Sequence, residues 1–150
     1  MKRRTLLQGM LAGMLGVHLQ AQAALPVIEV YKTPSCGCCH LWVDHLRENG
    51  FTVNAHDVSS TDRYREKFGV PQALASCHTG MVGGYALEGH VPAREIKRLL
   101  AQRPKVKGLA VPAMVQGSPG MEGTRSDPYD VLAFSADGQY TVYQHYDGTK

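Results

Sequence analysis

The chain has 150 residues, 16 of them Lys or Arg and 13 Asp or Glu, for a formal charge of +3. Lys2, Arg3 and Arg4 lie in a first stretch of 23 residues that holds no acid, so the remainder balances at 13 of each sign. That balance leaves neither a basic patch nor a basic helix face to hold nucleic acid or an anionic membrane surface.

Met1-Lys2-Arg3-Arg4 is a basic n-region, residues 6–19 are a short apolar run, and Ala21-Gln22-Ala23 places small residues where a signal peptidase reads. The expectation is an export signal over residues 1–23, cleaved after Ala23. Arg3-Arg4-Thr5-Leu6-Leu7 is a loose version of a twin-arginine signal, so the expected route is Sec or twin-arginine. Gln8 and His18 interrupt the apolar run, which is too short for a stable membrane span; the alternative is an uncleaved N-terminal anchor. Residues 24–150 then form a single domain in a compartment outside the cytoplasm, where disulfides can form and persist.

Residues 27–31 are β-branched and aromatic and read as a strand, closed by Lys32-Thr33-Pro34. Residues 38–49 carry an apolar stripe of Cys39, Trp42 or Val43, and Leu46, with Gly50 just beyond, which predicts a helix. Residues 51–56 alternate like a second strand. Residues 57–68 suggest a polar second helix, with Ser59, Ser60 and Asp62 as capping candidates and Gly69 at its end. The run from Val70-Pro71 toward Leu74 and Cys77 reads as a third strand. Residues 81–87 read as a fourth, with Gly83-Gly84 permitting a bend or bulge. Pro92 suits the first turn of a helix reaching about Gln102, with Ala93, Ile96, Leu99 and Leu100 on its apolar face.

The order βαβ, α, ββα is thioredoxin-like, with a cysteine loop joining the first strand to the first helix. By analogy with that fold, Pro71 takes the place of the cis-proline facing the loop. Residues 107–127 are rich in Gly and Pro and read as an irregular extension. Residues 129–134 and 139–146 flank Ser135-Ala136-Asp137-Gly138 as a β-hairpin. The fold class expected is therefore α/β, thioredoxin-like, with a C-terminal loop and hairpin extension.

All four cysteines fall in two short segments, Cys36-Gly37-Cys38-Cys39-His40 and Cys77-His78. The first group sits at a helix N-terminus, where unpaired N–H groups and the helix dipole favour thiolates. Thiolates both bind metals and attack disulfides, so position alone does not choose between the two chemistries. Cys36 and Cys39 satisfy a C-x-x-C redox pair, but Cys38 adds a third thiol that a dithiol oxidoreductase does not need. Mononuclear zinc sites usually leave two to four residues between paired ligands, a spacing Cys38 and Cys39 lack. Crowded thiolates suit a soft monovalent ion that each sulfur can bridge, and Cu(I) is such an ion. Two readings stand beside this one: a thiol–disulfide oxidoreductase with Cys36 as nucleophile and Cys39 as resolving thiol, and a secreted domain stapled by two disulfides.

Other candidates are weaker in pattern. His78 adjoins Cys77 and either ligates or supports the site from a strand end. His90, just before a helix, serves a turn or a metal. Met114 and Met121 lie in the irregular segment, where thioethers suit Cu(I) or simply fill gaps. Met81 and Trp42 read as core. His40, His45 and His56 have no partner at a telling spacing, and Asp44 reads as a helix-face partner of His40.

Tyr31-x-x-Pro34-x-Cys36-Gly37-Cys38-Cys39 with Trp42, Ser76-Cys77-His78-Thr79, Gly84-Tyr85 and Glu88-Gly89-His90-Val91-Pro92-Ala93 together resemble the DUF411 family. The resemblance continues through Gly108-Leu109-Ala110-Val111-Pro112 and Gly117-Ser118-Pro119-Gly120-Met121-Glu122, and so covers nearly the whole mature chain. It implies a thioredoxin-like fold, a periplasmic location and a role in copper resistance. It also implies a polynuclear Cu(I) cluster bridged by the thiolates of Cys36, Cys38, Cys39 and Cys77, with copper redox activity. Copper ions and other periplasmic copper-handling proteins are the partners it suggests.

Overall fold

The computed structural model describes residues 24–148, so the expected export signal lies outside the described residues. The elements run β1 (Ile28–Lys32), α1 (Gly37–Glu48), β2 (Val53–Asp57), α2 (Asp62–Lys67), a 3-10 turn (Gln72–Leu74), β3 (His78–Val82), β4 (Tyr85–Gly89), α3 (Ala93–Gln102), β5 (Gly108–Val111), β6 (Tyr129–Phe134) and β7 (Tyr140–Tyr146). The seven strands form one sheet in the order β2-β1-β3-β4-β5-β6-β7. The β1–β2 and β4–β5 pairs are parallel, each crossing over through a helix, and the other pairs are antiparallel. The chain is thus a mixed α/β protein built on a seven-stranded sheet.

Strand alternation divides the core between the two faces of the sheet. Ile28, Val30, Leu87, Leu109 and Val111 point to one face, where they meet Trp42, Val43 and Leu46 of α1 and Ile96 and Leu99 of α3. Their neighbours Ala86, Ala110 and Phe134 point to the other, where Phe68, Val70 and Leu74 cover them. The α1 stripe is as the sequence implies: Cys39, Trp42, Val43 and Leu46 are its buried residues. Pro92 is the N-cap of α3, next to its first turn.

The structure departs from the sequence reading in six places. The run from Val70 to Cys77 is not a strand; it holds the 3-10 turn, and the third strand begins only at His78. Residues 81–87 are not one strand either. Gly83 and Gly84 both take positive φ, 54° and 90°, a conformation that closes the two-residue hairpin between β3 and β4. Residues 107–127 are not wholly irregular, because β5 is inserted there, buried at all four positions between β4 and β6. A strand covered on both faces shows no polar alternation to find. The described residues contain no cis peptide bond, so Pro71 is trans. The second helix is shorter than expected, since β2 continues to Asp57. Asp44 pairs with Arg47 rather than His40.

Candidate metal centre

The site forms where the β1–α1 loop meets the start of β3. Cys36 is the N-cap of α1, so Cys38 and Cys39 lie in its first turn. Cys77 precedes β3, whose first residue, His78, stands opposite Lys32 at the end of β1. That antiparallel register, set by the apolar faces of both strands, carries Cys77 to the cysteine loop. Residues 36–39 and 77, some forty positions apart in sequence, thereby converge.

Cys38 Sγ lies 3.6 Å from Cys36 Sγ and 3.9 Å from Cys77 Sγ. Cys36 and Cys39 are joined by a disulfide, and Cys38 and Cys77 are free thiols. The two-disulfide staple is therefore not the arrangement found. Met114 Sδ lies 3.9 Å from Cys38 Sγ although Met114 is 54% exposed, so a thioether stands at the solvent edge of the thiols. Met121 is placed elsewhere in the same loop, its backbone bonded to Ser118 and Gly117.

Two histidines complete the surroundings of Cys77. His78 Nδ1 is 3.4 Å from Cys77 Sγ, and His90 Nε2 is 3.3 Å from it. The other nitrogen of each ring meets a carbonyl: His78 Nε2 at Gly89 O, 2.9 Å, and His90 Nδ1 at Pro119 O, 2.8 Å. A carbonyl only accepts, so each of those nitrogens must carry the proton. The nitrogen facing Cys77 is therefore left with its lone pair in both rings, which is how supporting bonds commonly prepare an imidazole to ligate. Burial holds His78 down to about 3, with His90 adding to the effect, and burial likewise lowers His90. Both rings are neutral, as ligation requires.

The thiol of Cys77 is pushed in the opposite direction, up to about 12, by burial and by the nearby Cys38. Without a cation it stays protonated at neutral pH, so a metal ion binding there must displace a proton. The donor set fits a soft ion in this respect: two groups of ligand atoms, Cys36–Cys38–Cys39–Cys77 and Cys77–His78–His90, each lie within 4.8 Å of one another.

A buried polar network holds the Cys77 segment. Glu88 on β4 accepts from Ser76 N (2.6 Å), Thr79 Oγ1 (2.6 Å) and Arg65 Nε (2.9 Å). Arg65 also donates to Ser76 O and Thr61 Oγ1. Ser76 Oγ donates to Ala113 O, tying the same segment to the loop bearing Met114. Trp42 lies under the site, its indole N–H donating to Val91 O and its ring 4.2 Å from that of His78.

The buried pairing of Arg65 with Glu88, a residue the sequence marked only as part of a family motif, escaped the sequence reading. Arg65 sits in a helix that reads as polar on most faces, and nothing local marks it as buried. His90 was visible as a turn or metal residue, but only the sheet places it beside Cys77.

The family model described as "Protein of unknown function, DUF411" matches residues 74–121, which include Cys77, His78, His90, Met114 and Met121. Two solved structures are each 42% identical to the chain. One, titled "Copper resistance protein copG- Form 1", superposes with a TM-score of 0.78 over 83% of this chain and 99% of its own. The other, "Copper resistance protein copG- Form 2", gives 0.77 over 81% and 98%. No curated protein matches the chain. At that identity and coverage, the chain belongs to the DUF411 family.

Proposed function

We propose that this protein binds copper in copper resistance or homeostasis, and that its reduced form holds Cu(I) in a polynuclear cluster bridged by Cys36, Cys38, Cys39 and Cys77. The carrying observation is the convergence of four cysteine sulfurs from two distant segments within 4.8 Å. The names of the two solved relatives supply the identity of the metal. His78 supplies a nitrogen at the edge of the cluster. Met114, partly in water beside Cys38, is the residue at which an ion is passed in or out. Met121 is a more distant thioether of the same loop. Copper ions are the partner, together with other periplasmic copper-handling proteins. Bound copper supplies one-electron chemistry; the chain supplies soft donors, a dry floor and imidazoles of fixed tautomer.

The location proposed is the periplasm, with residues 1–23 as a removed export signal and residues 24–150 as one domain. No helix of the described residues is long and apolar enough to cross a membrane, which accords with that reading. We read the fold as thioredoxin-like: the sheet order β2-β1-β3-β4, with β1 and β2 parallel and β3 antiparallel to both neighbours, supports it.

Reduced protein is expected to take up more than one Cu(I) per chain, and Cys38→Ser to lose most of it, measured by metal analysis after desalting. Retention of copper by that variant as tight as in the parent would refute the cluster. The Cys36–Cys39 disulfide favours a second reading, a thiol–disulfide oxidoreductase. Its signature is turnover of a disulfide substrate that survives both Cys38→Ser and Cys77→Ser.

A further inference from the structure

Cys77 belongs to two donor sets, and the Cys36–Cys39 bond affects only one of them. In the disulfide-bonded form the four-cysteine set is reduced to Cys38 and Cys77, 3.9 Å apart. The other set, Cys77 Sγ, His78 Nδ1 and His90 Nε2, is untouched. Its geometry is that of a prepared site. Tetrahedral bonds of about 2.0–2.1 Å to nitrogen and 2.3 Å to sulfur put a neighbouring N and S roughly 3.5 Å apart. The observed separations from Cys77 Sγ are 3.4 Å to His78 and 3.3 Å to His90. Both lone pairs are aimed there by carbonyls on the far side of each ring. One sulfur with two nitrogens is also a harder set than four sulfurs, and suits a divalent ion of the zinc class better than Cu(I). Cys38 Sγ stands 3.9 Å from Cys77 Sγ, and Cys77 also lines a cavity of about 420 Å3 with Ser76, Ala113 and Met114, among others.

We propose that the disulfide-bonded protein is a binding site for one divalent ion of the zinc class, held by Cys77, His78 and His90, and that the Cys36–Cys39 bond selects which class of metal the protein takes. The selecting step is an exchange with an external dithiol. Two electrons and two protons pass to Cys36 and Cys39, giving two thiols, while the dithiol becomes a disulfide. The four-thiolate set is then complete. This second half rests on the Cu(I) reading above; the divalent site does not.

The test uses Co(II) as a coloured probe, Zn(II) as competitor and the fluorescence of Trp42, the chain's single tryptophan. Oxidised protein, verified to hold two free thiols per chain, is expected to bind one Co(II) with a sulfur-to-cobalt charge-transfer band. The binding should quench Trp42, and Zn(II) should reverse it. The double variant Cys36→Ser/Cys39→Ser is expected to bind Co(II) as the oxidised parent does while failing to load several Cu(I). His90→Gln should weaken Co(II) binding by more than about tenfold. Oxidised parent that shows neither band nor quenching would overturn the site, and needs no variant to fold. Equal Cu(I) loading of the oxidised and the reduced parent would overturn selection by the disulfide. Failure of reduced protein to load Cu(I), with Co(II) binding intact, would remove the cluster reading and leave the divalent site standing.

Discussion

Gly120 shows how closely single positions are set around this site. It takes φ +89°, and a Cβ there would stand 2.8 Å from both Cys38 O and Trp42 N. Those are backbone atoms of α1 and cannot rotate aside. Gly120 thus lets the 112–127 loop lie directly on the helix turn that bears Cys38, one residue from the Pro119 carbonyl that fixes His90. Gly120→Ala is expected to destabilise the protein by about 1–3 kcal/mol, from left-handed strain and overlap together. Urea unfolding measures it, and an unchanged midpoint would show that the loop yields freely. Cys77 and His78 illustrate the same closeness in charge: adjacent residues, one thiol held protonated and one imidazole held neutral, both by burial. A cation that binds Cys77 Sγ there displaces its proton.

At the scale of elements, α1 and α3 are joined by a bond that depends on protonation. His45 Nε2 of α1 accepts from Ala93 N at the start of α3, 3.1 Å, where no side chain of α3's own cap does so. Accepting requires the neutral ring. Burial lowers the His45 pKa below its ordinary value of 6.5, against the pull of Glu122 and Glu48. The unfolded chain therefore binds the proton at a higher pH than the folded one, so this contribution is present above about pH 6.5 and declines as pH falls below it. His78 and His90 act in the same direction, which is why a comparison isolates His45. The expected result is a shallower loss of stability between pH 7 and 5 in His45→Gln than in the parent, read from urea midpoints across pH. Parallel curves would mean that His45 does not carry the linkage. The hairpin of β3 and β4 is the other element-scale determinant, since it sets Thr79 opposite Glu88 and so brings the start of β3, with Cys77 just before it, beside the end of β4.

At the scale of the whole molecule, the centre ties together elements from the entire fold: the loop after β1, the turn of α1, the start of β3, the end of β4 and the 112–127 loop. Any ion gripped there is bound by the folded chain and not by the unfolded one in the same way. Cu(I) added to reduced protein should therefore raise the thermal midpoint progressively, by about 2.7 kcal/mol of stability at a hundred times the dissociation constant. Scanning calorimetry across Cu(I) concentrations tests this. A midpoint that ignores Cu(I) would mean that the ion binds locally without engaging the fold.

Much of this was already present in the chain as written. Local chemistry marked the cysteine segments, and 3.6-residue periodicity located α1 and α3, because a helix face and a thiol cluster are short-range patterns. The β6–β7 hairpin was legible for the same reason, from turn residues between two alternating runs. The third strand, β5, the burial of Arg65 and Glu88 and the meeting of His90 with Cys77 were not. Each depends on which strands become neighbours. β5 is hidden between two others, so its sequence carries no alternation; Arg65 is buried only because Glu88 lies across from it. His90 becomes a partner of Cys77 only when β4 lies along β3. The sequence by itself determined which donor atoms the protein owns and that they are soft. The tertiary structure decided which of them meet, because strand pairing acts over distances that local spacing cannot encode.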